Sequence, residues 1–162
     1  MKVLLSILRE MADLPNDADA VALALNSLGL AVEEMDVVGV PIPGVVSARI
    51  VRMEKHPDAA KVTRCFVDAG DGEERHVWCG ATNMQPGDIV PLATLGTTMP
   101  NGMEIARRGI LGIDSEGMLC SEVELGLSDE SSGLLILPAG SPLGVSPFEV
   151  LGIEHDVIFD LD

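Results

Sequence analysis

The chain contains no tyrosine, and its aromatics are Phe66, Trp78, Phe148 and Phe159 alone. A core built here must be aliphatic, and a row of exposed rings for stacking unpaired bases is excluded. Cysteine is scarce too: Cys65, Cys79 and Cys120 form neither a CxxC pair nor an even-numbered disulfide framework, which points to a reducing compartment. No apolar run approaches the roughly 18 residues of a membrane span. The short run from Val3 to Leu8 is interrupted at once by Arg9 and Glu10, with no small-residue cleavage site behind it, so no secretory leader is expected. Together these absences predict a soluble, cytoplasmic protein that does not engage a membrane.

The missing bases are as informative. Residues 1–43 carry seven acids and two bases, residues 44–108 eight of each, and residues 109–162 eleven acids and no base, for a net charge of −16. An acidic field repels phosphate, which argues against promiscuous polyanion binding. The locally neutral middle is the one region that could hold RNA, provided its bases share a face.

What is present fits one ordinary domain, or a small domain plus a partial one: 162 residues, 47% of them hydrophobic. Seventeen glycines and ten prolines favour many short elements and tight turns. Met1 to Leu5 reads as a strand, and Ser6 as the cap of a helical turn ending at Met11. Asp17 and Asp19 open a second helix, whose Val21, Leu25 and Leu28 form one face before Gly29 stops it. Ala31 to Val38 reads as a strand, and Gly39-Val40-Pro41-Ile42-Pro43-Gly44 as a linker.

Beyond the linker the pattern changes to strands and turns. Strands are expected at 45–54, 61–69, 75–79 and 88–94, with short pieces at 103–107 and 117–120; a five-stranded, partly open barrel fits this spacing. The stretch Ser115 to Gly126 reads as its closing corner. Gly117 allows close backbone approach, Met118, Leu119 and Cys120 suit the interior, Ser121 and Glu124 form a capping box, and Gly126 is the stop. An apolar run from Ser131 to Pro138 and a helical turn at Pro147 to Leu151 follow. Asp156 to Asp162 reads as a strand without a terminator, the pattern of a piece cut from a longer chain.

Catalytic constellations are mostly absent. There is no GxxxxGK, no GxGxxG after a strand and no nucleophile elbow, so the chain is not expected to be catalytic by itself. His76 and Cys79 are metal-ligand types, but residues three apart in a strand point to opposite faces, and no metal site is expected. The three cysteines read as small buried hydrophobes. Lys55, His56, Lys61 and Arg64 place four potential cations on the loop between the first two barrel strands, a usual nucleic-acid contact in such barrels; a solvated turn is the competing reading. Arg107 and Arg108 could grip phosphate or neutralise the acidic segment after them. Asn83 could cap its own backbone or touch a ligand.

Some of these residues occur in runs specific enough to carry a family resemblance. His56-Pro57-Asp58-Ala59, Trp78-Cys79-Gly80-Ala81-Thr82-Asn83, Gly87-Asp88-Ile89-Val90-Pro91, and Ser115-Glu116-Gly117-Met118-Leu119-Cys120-Ser121 with Glu124-Leu125-Gly126 resemble the tRNA-binding oligonucleotide-binding (OB) domain. That domain occurs in the phenylalanine–tRNA ligase beta subunit and, more distantly, at the end of methionyl-tRNA synthetases. Met1-Lys2-Val3, Leu8-Arg9-Glu10 and Gly29-Leu30-Ala31-Val32-Glu33 look like the opening of the beta subunit, while Leu111 stands where the family usually has an arginine.

The resemblance implies an α+β, mainly β fold: a five-stranded OB barrel (residues 39–148) inserted in a small, incomplete α/β domain formed by the chain ends (1–38 and 149–162). It implies a fragment of a class II aminoacyl-tRNA synthetase. The whole enzyme uses ATP and magnesium to phenylalanylate tRNA, catalysis belongs to the alpha subunit of an α2β2 assembly, and this fragment needs no cofactor. Its partner would be phenylalanine-specific tRNA, contacted through Lys55, His56, Lys61, Arg64, Asn83, Arg107 and Arg108. A structural or assembly module with little tRNA contact, and a stand-alone tRNA-binding protein, are the alternatives.

Overall fold

Turn chemistry and period-two alternation give ten strands and three short helices among the residues described, 1–130 and 132–162, in a computed structural model of the chain. In chain order they are β1 (Lys2–Leu4), α1 (Leu5–Met11), α2 (Ala18–Ser27), β2 (Val32–Val38), β3 (Val45–Lys55), β4 (Thr63–Asp68) and β5 (Glu74–Cys79). There follow β6 (Ile89–Thr94), β7 (Arg108–Ile110), β8 (Ile113–Ser115), β9 (Gly117–Leu119), α3 (Pro147–Val150) and β10 (Asp156–Leu161). They form two compact units, one from Met1–Val40 with Ile153–Asp162, the other from Pro41–Gly152.

In the smaller unit β10 lies between β1 and β2, antiparallel to both. Its alternation Val157, Phe159, Leu161 buries one face against Leu5 of α1 and Val21 and Ala22 of α2. Two sequence expectations change here. Ser6 does not cap α1, which begins one residue earlier; its backbone N–H donates to Asp156 Oδ1 (3.1 Å) and its hydroxyl to Asp156 Oδ2 (2.5 Å). A carboxylate from β10, 150 residues away, does what a local cap would have done. Leu28 is 77% exposed, because α2 ends at Ser27 and Leu28 is its C-cap rather than a third rung of the buried face.

The larger unit is the expected barrel. Its five-stranded sheet has the order β5-β4-β3-β6-β9, antiparallel throughout. The 11-residue β3 is shared: Val45–Arg49 pairs with β6, and Arg49–Lys55 pairs with β4, with a register shift between Ile50 and Arg52. That irregularity bends the strand so that one element serves two sides of a barrel. Inward alternation places Ala48, Ile50, Cys65, Val67, Val77, Val90, Leu92 and Leu119 in an aliphatic core, as the poverty of aromatics requires. Full burial of each such Val, Leu or Ile contributes about 1.5–3 kcal/mol. The three cysteines are buried and free, and burial raises all three thiols, Cys65 and Cys120 to about 12. No helix among the described residues is long and apolar enough to cross a membrane.

Closure between β5 and β9 depends on Ser115 and Glu116. The Glu116 N–H donates to His76 O (2.9 Å), the Glu116 carboxylate accepts the His76 N–H (3.1 Å), and Ser115 Oγ accepts the buried Trp78 N–H (3.0 Å). Two side chains stand in for a backbone ladder. Beside them Gly117 packs so closely on β6 that a Cβ would lie 2.8 Å from Ala93 O, as the sequence led us to expect. Ser121 and Glu124 then make the capping box, although it closes a turn and not a helix: Glu124 Oε2 accepts the Ser121 N–H (2.5 Å) and bonds its hydroxyl.

The expected strand at 103–107 is absent; Glu104 makes a single bridge to Thr98, and pairing resumes in the β7–β8 hairpin. The apolar run read from Ser131, itself outside the described residues, makes one bridge, Leu137 with Ile89. Its Leu137 N–H donates to Ile89 O (2.8 Å) and its Leu135 N–H to Cys120 O (3.2 Å), so it is tied to the barrel at both points.

Ser115→Ala is expected to leave the Trp78 N–H without an acceptor and to cost about 1–3 kcal/mol, read as a lower urea midpoint. Burial raises the Asp156 carboxyl, but the Ser6 hydroxyl and the Val157 and Ser6 N–H groups outweigh it and hold Asp156 below its ordinary 3.8. The stability it contributes is whole above that ordinary value and is lost as pH falls through the lowered one. Asp156→Asn should therefore lower the urea midpoint at neutral pH, with the difference from the unaltered protein shrinking below about pH 3.8.

Candidate nucleic-acid interface

Alternation that sends Cys65, Val67, Val77 and Cys79 into the core sends Arg64, Phe66, His76 and Trp78 to the outer face of β4 and β5. Phe66 and Trp78 are buried all the same, because protein groups cover them. The Arg52 guanidinium sits 3.5 Å from the Phe66 ring centroid, and that of Arg64 4.6 Å from it and 5.8 Å from the Trp78 centroid. Both rings are buried, and they form an arginine-capped aromatic layer on the face opposite the aliphatic cluster. Each such cation–π contact is worth about 0.5–2 kcal/mol, and with both rings occupied no base can stack on them.

Trp78 is where separate segments converge. Its indole Nε1–H donates to Ile113 O (2.9 Å) and its backbone N–H to Ser115 Oγ, so it holds the β7–β8 hairpin. The His56 ring also packs on it, centroids 4.6 Å apart and planes tilted by 51°. His56 itself is only 4% exposed, and both ring nitrogens are engaged: Nδ1 accepts the Asp58 N–H (3.0 Å) and Nε2 faces Ile110 O (3.2 Å). Accepting at Nδ1 assigns the ring proton to Nε2.

The remaining residues singled out in the sequence separate into two sets. Lys55 ends β3 opposite Thr63, Arg64 is the register partner of both Glu54 and Trp78, Lys61 lies on the loop between them, and Arg108 pairs with Ser115 on the hairpin. Among the described residues no carboxylate pairs with any of these four. Arg107 instead reaches Glu116 Oε1 (3.7 Å), on the carboxylate that also meets His76 Nε2 (3.4 Å). Asn83 makes a two-point clasp with Leu134: its Nδ2 donates to Leu134 O and its Oδ1 accepts the Leu134 N–H, each at 2.9 Å.

Arg52, which sequence reasoning passed over, is held by Glu54 (3.0 Å) and Glu74 (2.9 Å) above Phe66. Its signal was the repeat Arg52, Glu54 on one strand face.

A cleft of about 170 Å³ lies between Trp78, Arg108, Ile110 and Met118. This is smaller than the roughly 300–1,000 Å³ of small-molecule sites. No three His, Cys, Asp or Glu side chains among the described residues are grouped to hold a metal ion. Lys55, Lys61 and Arg108 are exposed around this cleft's side of the barrel, an arrangement suited to a phosphate backbone.

A family model described as "Putative tRNA binding domain" matches residues 45–146. The chain belongs to this tRNA-binding domain family. Over nearly its whole length this tRNA-binding family member is also similar to proteins named phenylalanine–tRNA ligase beta subunit. It is 46% identical to that of Syntrophotalea carbinolica, over 95% of this chain and 19% of the relative. It is 43% identical to that of Anaeromyxobacter dehalogenans, over 100% and 20%, and 41% identical to that of Syntrophus aciditrophicus, over 99% and 20%. The chain spans about one fifth of the length of these curated relatives.

The hairpin carries one strained position. Leu111 and Gly112 form its two-residue turn with φ of +48° and +86°, and Leu111 is the one non-glycine residue at positive φ among those described. That conformation costs a leucine about 1–2 kcal/mol, whereas Asn-Gly is the favoured pair. Leu111→Asn is expected to raise stability by about 0.5–1 kcal/mol, seen as a higher urea midpoint with unchanged slope.

Proposed function

We propose that this chain is the tRNA-binding module of a phenylalanine–tRNA ligase beta subunit, serving ATP-dependent phenylalanylation in the cytoplasm as part of an α2β2 enzyme. Catalysis then lies with the alpha subunit. The residues present do not fit ATP or magnesium: the sequence has no glycine-rich phosphate loop, and the described residues group no metal ligands. These cofactors serve other parts of the enzyme.

One observation carries the reading: Arg64 and Arg108 lie at Trp78, Lys55 and Lys61 border the adjoining loop, and none of the four has an acid partner among the described residues, in a barrel whose family is tRNA-binding. In this reading they meet phosphates, with Arg107 joining once its loose pairing with Glu116 yields. His56 and Asn83 act by holding the loops, since their polar atoms are already engaged. Capped rings favour recognition of an RNA's shape and backbone over its bases.

A second reading, a structural module of the synthetase with little RNA contact, draws on the eleven acids and no base of residues 109–162.

Titrating a phenylalanine-specific tRNA transcript against the chain at increasing salt separates the two. Direct contact predicts an affinity that falls with salt, and Lys61→Ala or Arg108→Ala should each reduce the log–log slope by about 1. Arg52→Ala should leave the slope unchanged. No binding at about 50 mM salt, or a Lys61→Glu, Arg64→Glu double variant that binds normally, would establish the structural reading instead.

A further inference from the structure

The β7–β8 hairpin has three residues per strand and projects from the barrel with Arg108, Gly109, Leu111, Gly112 and Asp114 exposed. A two-stranded hairpin of this size is marginal by itself in water, so its position depends on what pins it. Trp78 pins the second strand, through Ile113 O and Ser115 Oγ. The first strand, which carries Arg108, is pinned at Ile110 O by His56.

His56 in turn belongs to the loop that carries Lys55 and Lys61. Its own N–H donates to Val62 O (3.1 Å), and the turn inside is closed by the Val62 N–H on Ala59 O (3.1 Å) and the Asp58 N–H on His56 Nδ1. One imidazole therefore ties two cation-bearing segments together across 54 residues of sequence. The two nitrogens act separately, Nδ1 shaping the loop and Nε2–H reaching the hairpin.

We propose that His56 is a positioning residue for RNA binding, a latch whose Nε2–H fixes the Arg108 hairpin relative to the Lys55–Lys61 loop so that their cations meet one RNA backbone together. The proposal rests on the tRNA-binding reading and adds to it a division of labour within one ring. Phosphates along a strand are regularly spaced, so two cations help most when their separation is already set. A hairpin free to swing loses part of its contact energy in being ordered. With both nitrogens engaged, the buried ring is no phosphate ligand here; its contribution is geometric.

Two substitutions divide the ring's functions. In His56→Gln the side-chain amide N–H falls near the Nε2 position, keeping the tie to Ile110 O and losing the acceptor for Asp58. In His56→Asn the amide oxygen falls near Nδ1, keeping the Asp58 turn and losing the tie to the hairpin. Both are compared with the unaltered 162-residue chain, using a phenylalanine-specific tRNA transcript at low salt, thermal unfolding, and amide hydrogen exchange of residues 108–115.

The expected result is several-fold weaker binding with a shallower salt slope for His56→Asn, affinity close to the unaltered chain for His56→Gln, and faster hairpin exchange in the Asn variant alone. A merely structural role would move both variants' affinities in step with their unfolding temperatures, which overturns the latch. So does a Gln variant as weak as the Asn variant, or a hairpin whose exchange is unchanged in His56→Asn. Should the unaltered chain bind no tRNA, the tRNA reading fails, while hairpin exchange still decides whether His56 is the tie.

Discussion

The barrel depends on the line where β9 meets β5. A five-stranded sheet with free edges would expose a row of unpaired N–H and C=O groups, and closing it removes both edges at once. Here the last strand is only three residues long and cannot supply a full ladder. Ser115 and Glu116 make up the difference with side-chain oxygens that accept the N–H groups of Trp78 and His76. The same two bonds carry consequences outward. Ser115 is the end of the hairpin strand β8, so closing the barrel and seating the hairpin are one event. Glu116 also holds His76 and Arg107, tying the acidic tail of the chain to the end of the basic region.

Charge and aromatic content act together on the outer face. The chain has few rings, and it places two of them beneath arginines, where a nucleobase cannot reach. Arg52 is neutralised there by Glu54 and Glu74, whereas Arg64 stacks without a carboxylate. The resulting surface has fixed rather than mobile cations, with their stems packed on apolar faces. In a protein of net charge −16 this local arrangement, and not the global field, is what an RNA would meet.

Strands were legible in the sequence because alternation and glycine-rich turns are local signals; β3 to β6 lie within one or two residues of their expected bounds. Elements that depend on distant partners were not. Ser6 reads as a cap until Asp156 arrives from the far end, and the β7–β8 hairpin lacks the Asn-Gly pair that would have announced it, its turn falling on Leu111-Gly112. The candidate site shows the same division. Lys55, Lys61 and Arg64 are grouped by sequence alone. Burial of His56 follows from a tryptophan 22 positions later, and the bond to Ile110 from a hairpin beyond that, neither of which composition reveals. Asn83 left two possibilities open, and its clasp on Leu134 is a tertiary answer to a local question.

The pairing of Val38 with Asp156 has a bearing on the order of folding. Seen from the small unit, everything between those two residues is one connection inside an antiparallel pair. With that connection unstructured, joining β2 to β10 carries a ring-closure entropy about 3 kcal/mol above that of an ordinary short hairpin loop, at roughly 0.6 kcal/mol per doubling of length. A barrel that has already formed fixes its own two ends a few residues from the pairing strands, and that excess disappears. The small unit, whose core is modest, is thereby easier to assemble once the barrel has formed.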